Sequence, residues 1–105
     1  MIEGLEARLA RLAALNQTVT YGALARDLAL TGPGTIARLT AALETLMEAD
    51  AAAGHPFRAA VVSGRLAQDL PAQGFFDKAA ALGRDVTDAG GFIQSERAAL
   101  HVRFG

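Results

Sequence analysis

The sequence predicts a mainly α chain with a small β wing, winged helix-turn-helix-like, with two short helices after it. Three observations predict this. Two amphipathic segments flank a Gly-Pro-Gly turn at Thr31–Gly34, a β-branched stretch precedes the first of them, and FRAAVVS follows the second. At 105 residues the chain suits one domain with a single core, spanning 1–105. Half its residues are apolar and a fifth are charged, which argues for a folded domain over disorder.

Each element follows from its local pattern. Ile2, Leu5, Leu9, Leu12 and Leu15 recur at helical spacing and place one apolar face on a first helix. Thr18-Val19-Thr20 suits a very short strand. Thr20 then caps a second helix beginning near Tyr21 and burying Leu24, Ala25 and Leu28. After the turn, a longer third helix runs from Pro33 or Thr35 to Ala53. Ile36, Leu39, Thr40, Leu43, Leu46, Met47 and Asp50 fall along one side, the apolar members forming its buried stripe. Gly54 and Pro56 supply its stop. Phe57 to Ser63 reads as a strand, Ser63-Gly64-Arg65 as a turn and Leu66 to Leu70 as a weaker return strand, together a wing. GFFDKAAALG predicts a helix packing Phe75, Phe76, Ala79 and Leu82 and ending at Gly83. Asp88 caps a last helix carrying Phe92, Ile93, Ala99 and Leu100.

Composition excludes several chemistries. The chain has no cysteine, so disulfides, thiolate catalysis and zinc fingers are out of reach. His55 and His101 stand too far apart in sequence to form a local metal motif. The segment MIEGLEARLARLAALN interrupts its apolar residues with charges and reads as neither a signal peptide nor a membrane span. The expectation is a bacterial, cytoplasmic protein without membrane attachment and without a cofactor. Of its ten basic residues only Lys78 is lysine, and the formal net charge is −1. A domain living on phosphate contacts is usually basic, which weighs against nucleic acid.

The stretch Val19 to Leu43 carries a resemblance. Leu24-Ala25 and Leu28, followed by Thr35-Ile36-Ala37-Arg38-Leu39, resemble the helix-turn-helix of bacterial regulators, with one extra residue in the turn. Val19-Thr20-Tyr21-Gly22-Ala23-Leu24-Ala25 is similar to the segment opening the winged-helix DNA-binding domain of O6-alkylguanine-DNA alkyltransferases and alkyltransferase-like proteins. The similarity covers roughly Thr18 to Leu66. It implies a DNA-backbone role for Tyr21 and makes Arg38 the nearest candidate for the arginine that replaces an extruded base. The family's reactive Pro-Cys-His-Arg falls around Pro56-Phe57-Arg58, where neither Cys nor His stands, so alkyl transfer has no nucleophile here. The GFF segment lies outside that family and looks more like small uncharacterised bacterial proteins sharing the TYG…LA start.

The candidate DNA-contacting residues are therefore Tyr21, Arg26, Thr35, Arg38, Arg58 and Arg65. The outward row of the third helix, Ala37, Arg38, Ala41, Glu44, Thr45 and Glu48, sets one arginine against two glutamates, which implies weak, salt-sensitive binding. Plainer roles stand beside these. Tyr21 also fits a half-buried aromatic at a helix start, Arg38 a solvated charge, and Phe75-Phe76 core. His55 fits a loop, and His101 a partner for the dipole at a helix C-terminus. Asp85 and Asp88 fit turn and cap duty. The sequence thus expects a non-catalytic module for duplex DNA. The alternative is a domain that binds a protein partner or itself, having kept the fold and lost the nucleic-acid surface.

Overall fold

The computed structural model describes residues 2–64 and 69–105. The described residues are mainly helical. They comprise α1 (Leu5–Ala14), β1 (Val19–Thr20), α2 (Tyr21–Asp27), α3 (Thr35–Ala53), a 3-10 turn (Arg58–Val61), β2 (Val62–Ser63), α4 (Gln73–Ala81) and α5 (Ala89–Phe104).

Local chemistry sets most boundaries. The Ala23 N–H donates to the Thr20 hydroxyl at 3.2 Å, and the Gly91 N–H to the Asp88 carboxylate at 3.1 Å, so both expected caps are in place. Four helices stop by one device, a residue in the left-handed region followed by two backward hydrogen bonds. Gly54 (φ +72) and Gly83 (φ +95) serve α3 and α4 at no steric cost. Asn16 (φ +53) serves α1, with the Gln17 N–H donating to Leu12 O at 2.8 Å. At the end of α2 the position falls to Ala29 (φ +56), with the Leu30 N–H donating to Ala25 O at 3.0 Å. The stop at Asn16 leaves Leu15 exposed although its spacing continues the α1 stripe.

The core gathers Leu5, Leu9 and Leu12 of α1, Leu24 of α2, Leu39, Leu43, Leu46 and Met47 of α3, and Ile93 and Leu100 of α5. Phe57, 0 % exposed, sits among them, edge-on to Phe75 at 5.9 Å and to Phe92 at 6.4 Å between centroids. Phe75 and Phe76 are both buried, as expected. Two further expected core members lie outside. Ala99 is exposed, and Ile36 is 47 % exposed on the wall of an open cleft.

The expected strand Phe57–Ser63 is corrected. Only Val62 and Ser63 are extended, and they pair in parallel with Val19 and Thr20. Arg58–Val61 forms a 3-10 turn because carboxylates have taken the backbone donors that a ladder partner would use. The Phe57 N–H donates to Glu96 Oε1 at 3.0 Å and the Arg58 N–H to Asp50 Oδ2 at 2.9 Å. Of the expected return strand, residues 66–68 lie outside the described residues; the Leu70 carbonyl accepts from the Gly64 N–H at 2.8 Å. The last helix is also longer than expected, at 16 residues. No helix among the described residues is long and apolar enough to cross a membrane.

Candidate nucleic-acid interface

The cap that starts α2 also places Tyr21. As the first helical residue it lies half-buried against α3, and with Thr20, Gly22, Ala23, Arg26, Ile36, Gly64 and Ala72 it lines an open cleft of about 570 Å³. Burial raises the pKa of its phenol; the Ala72 backbone lowers it in part, and the charge of Glu44 raises it further. Tyr21 therefore meets neutral solution as a hydroxyl, a hydrogen-bonding group on the cleft wall.

Arg26, in the last turn of α2, is exposed on the same cleft and enters none of the described ion pairs. Its Nη1 lies 3.8 Å from where a Cβ on Gly22 would stand, an ordinary van der Waals distance. Thr35 opens α3, but its hydroxyl donates back to Gly32 O at 2.7 Å and ties down the turn. Arg38 donates to Thr31 O at 2.8 Å and lines a different groove, with Ile2, Ala41, Ala42 and Thr45. It too enters none of the described ion pairs.

Arg58 does not join this surface, which corrects its place in the predicted set. Its Nη2 stands 2.9 Å from Asp50 Oδ1 and its Nη1 2.8 Å from Glu6 Oε1, leaving the side chain 14 % exposed. Burial alone would lower its pKa; pairing with Asp50 and Glu6 outweighs that and raises it. Arg65 lies outside the described residues. Of the six predicted contacts, then, Tyr21 and Arg26 share one cleft. Thr35 and Arg38 sit at the start of α3, and Arg58 serves the core.

Several charged groups have structural duties that sequence reasoning did not assign. Asp50 (1 % exposed) and Glu96 are buried carboxylates that receive backbone N–H groups of the 57–58 corner. Arg84 stands 3.4 Å from Glu96 and 4.4 Å above the Phe57 ring, and Arg97 donates to Ala60 O at 2.8 Å. The available signal was an acidic residue on an apolar stripe. Asp50 continues the row of Leu39, Leu43, Leu46 and Met47, and Glu96 lies between Ile93 and Leu100. Lys78 pairs with Glu48 at 2.6 Å, while Asp85 Oδ1 accepts from the Thr87 N–H at 3.0 Å, the turn duty expected of it. His101 Nδ1 lies 3.0 Å from Ala13 O near the end of α1.

Compared with known proteins, the chain matches no family model, no curated protein and no solved structure.

Proposed function

We propose that this chain is a small non-catalytic module, winged-helix-like in organisation, that binds duplex DNA weakly through the face made by α2, the following turn and the start of α3. One observation carries the reading. Tyr21 and Arg26 line a single cleft closed by the first turn of α3, and neither Arg26 nor Arg38 is spent on a described carboxylate. Guanidinium groups in that state are available to phosphate oxygens, and the phenol adds a neutral hydrogen bond. The corrected contact set among the described residues is Tyr21, Arg26, Thr35 and Arg38. With Arg26 in the cleft, Arg38 in the neighbouring groove and tied to Thr31 O, and a net charge of −1, binding is weak. It should show a shallow salt slope, about 0.9 per phosphate neutralised.

Fluorescence anisotropy with a mixed-sequence duplex at low salt tests this. Arg26→Glu and Arg38→Glu should each weaken binding about tenfold, a loss of about 1.4 kcal/mol, while Arg11→Glu on the exposed side of α1 leaves it unchanged. Equal affinity for all four proteins would remove the DNA reading.

A second reading is favoured by Ile36. An isoleucine half-exposed in the cleft, beside the exposed Ala37 and Ala41 of α3, suits a protein partner or a second copy better than phosphate. Sedimentation velocity over a concentration series, with Ile36→Glu beside the wild type, separates the two. Concentration-dependent association abolished by Ile36→Glu supports self-association, and a concentration-independent monomer refutes it.

A further inference from the structure

A second cleft, sharing no lining residue with the first, lies where α5 meets the end of α1. Gly90, Gln94, Arg97 and His101 recur on α5 at spacings of four, three and four, which sets them on one helix face. They line an open volume of about 580 Å³ together with Asn16, Asp69 and the apolar Leu70, Ile93 and Val102.

The polar groups there are oriented and incompletely used. The Arg97 guanidinium is anchored by main-chain oxygens, Nε to Ala60 O at 2.8 Å and Nη2 to Asp69 O at 2.6 Å. Its contact with the Asp69 carboxylate is longer, 3.3 Å. That carboxylate is 63 % exposed, and its other oxygen accepts from the Thr18 hydroxyl at 2.8 Å. An anchored cation therefore stands beside an exposed carboxylate in a loose, exchangeable pair. At His101 the neighbour of Nδ1 is a carbonyl, Ala13 O, which only accepts, so Nδ1 carries a hydrogen and the ring is held at the cleft wall. Three described non-glycine residues have positive φ, and two of them, Asn16 and Asp69, flank this cleft.

We propose that this cleft binds a small zwitterion of the amino-acid class with an apolar side chain. The ligand carboxylate takes Arg97, its ammonium faces Asp69, and its side chain covers Ile93 and Val102. Charge decides the class. A simple anion meets Arg97 only by crowding Asp69, and a simple cation meets Asp69 only by crowding Arg97. A zwitterion satisfies both and leaves neither desolvated against a like charge. Val102, 83 % exposed, gains cover in the process.

The test is a ¹H–¹⁵N NMR titration of the intact protein with L-alanine, L-leucine and L-phenylalanine. Two truncated analogues of leucine accompany them, 4-methylpentanoate without the ammonium and isopentylamine without the carboxylate. At least one amino acid should shift the amides of Gln94, Arg97 and Ala98, and both analogues should bind about tenfold more weakly than leucine. Asp69→Asn, which retains an oxygen for Thr18, should weaken leucine and tighten 4-methylpentanoate. Silence from all three amino acids overturns the proposal, as do analogues that match leucine or an Asp69→Asn protein that treats both ligands alike.

Discussion

Asp50 and Arg58 meet through both backbone and side chain. The Arg58 N–H donates to Asp50 Oδ2 at 2.9 Å, and the guanidinium Nη2 stands 2.9 Å from Oδ1. One buried carboxylate thereby joins the last turns of α3 to the corner that carries Phe57 into the core. Glu6 then holds Nη1 of the same guanidinium from α1, so one ion cluster ties three segments together.

Removing one member of such a cluster leaves the other desolvated without its partner. Asp50→Ala should therefore cost about 3 kcal/mol of folding stability, measured by urea unfolding at neutral pH. Glu6→Gln, whose carboxylate is more than half exposed, should cost under about 1 kcal/mol. Equal losses for the two variants would contradict the central place given to Asp50.

At the end of α2, Ala29 holds a left-handed conformation that its Cβ disfavours, where α3 and α4 use glycine. Ala29→Gly should stabilise the protein by about 0.5–1 kcal/mol, the relief of strain exceeding the added freedom of the unfolded chain. A thermal melt reads this as a rise in Tm, and a fall would show that the strain is not there.

The Thr20 hydroxyl caps α2 at its Ala23 N–H and, by doing so, sets where Tyr21 begins. Thr20→Ala should cost about 1 kcal/mol in equilibrium unfolding, and Thr20→Ser should recover most of it. If serine fails to rescue, the methyl group and not the hydroxyl carries the effect.

Tyr21 is the single tyrosine of the chain, and there is no tryptophan, so its titration can be followed alone. Its folded pKa is raised above 10.0, chiefly by burial. Folding thus favours the protonated phenol. The contribution is complete below the ordinary value and is lost as pH climbs through the folded one. Phenolate absorbance in the native protein should show a midpoint above 10.0, falling back towards it in urea. A native midpoint at or below that value would mean that the ring is not buried against α3.

Much of the site is legible in the sequence. The Thr20 cap, the start of α2 at Tyr21 and the start of α3, read as Pro33 or Thr35, each follow from residues within a few positions of the boundary, and local patterns are what a sequence displays. Arg58 was misassigned for the opposite reason. Its partners are Asp50, eight residues away, and Glu6, fifty-two residues away. No periodicity marks such a pairing. Ile36 failed similarly, because helical spacing defines a stripe without saying how far along the helix its neighbours extend.

The sequence by itself determined five helices, the caps of α2 and α5, the glycine stops of α3 and α4, and most of the apolar core, since each depends on spacing and on short-range backbone chemistry. Tertiary structure alone decided which charges are free. Folding brought Asp50, Glu6 and Glu96 to the 57–58 corner, turned an expected strand into a 3-10 turn, and left Arg26 and Arg38 unpaired among the described residues. Burial of a carboxylate demands a donor wherever the fold supplies one, and only the assembled chain shows where that is.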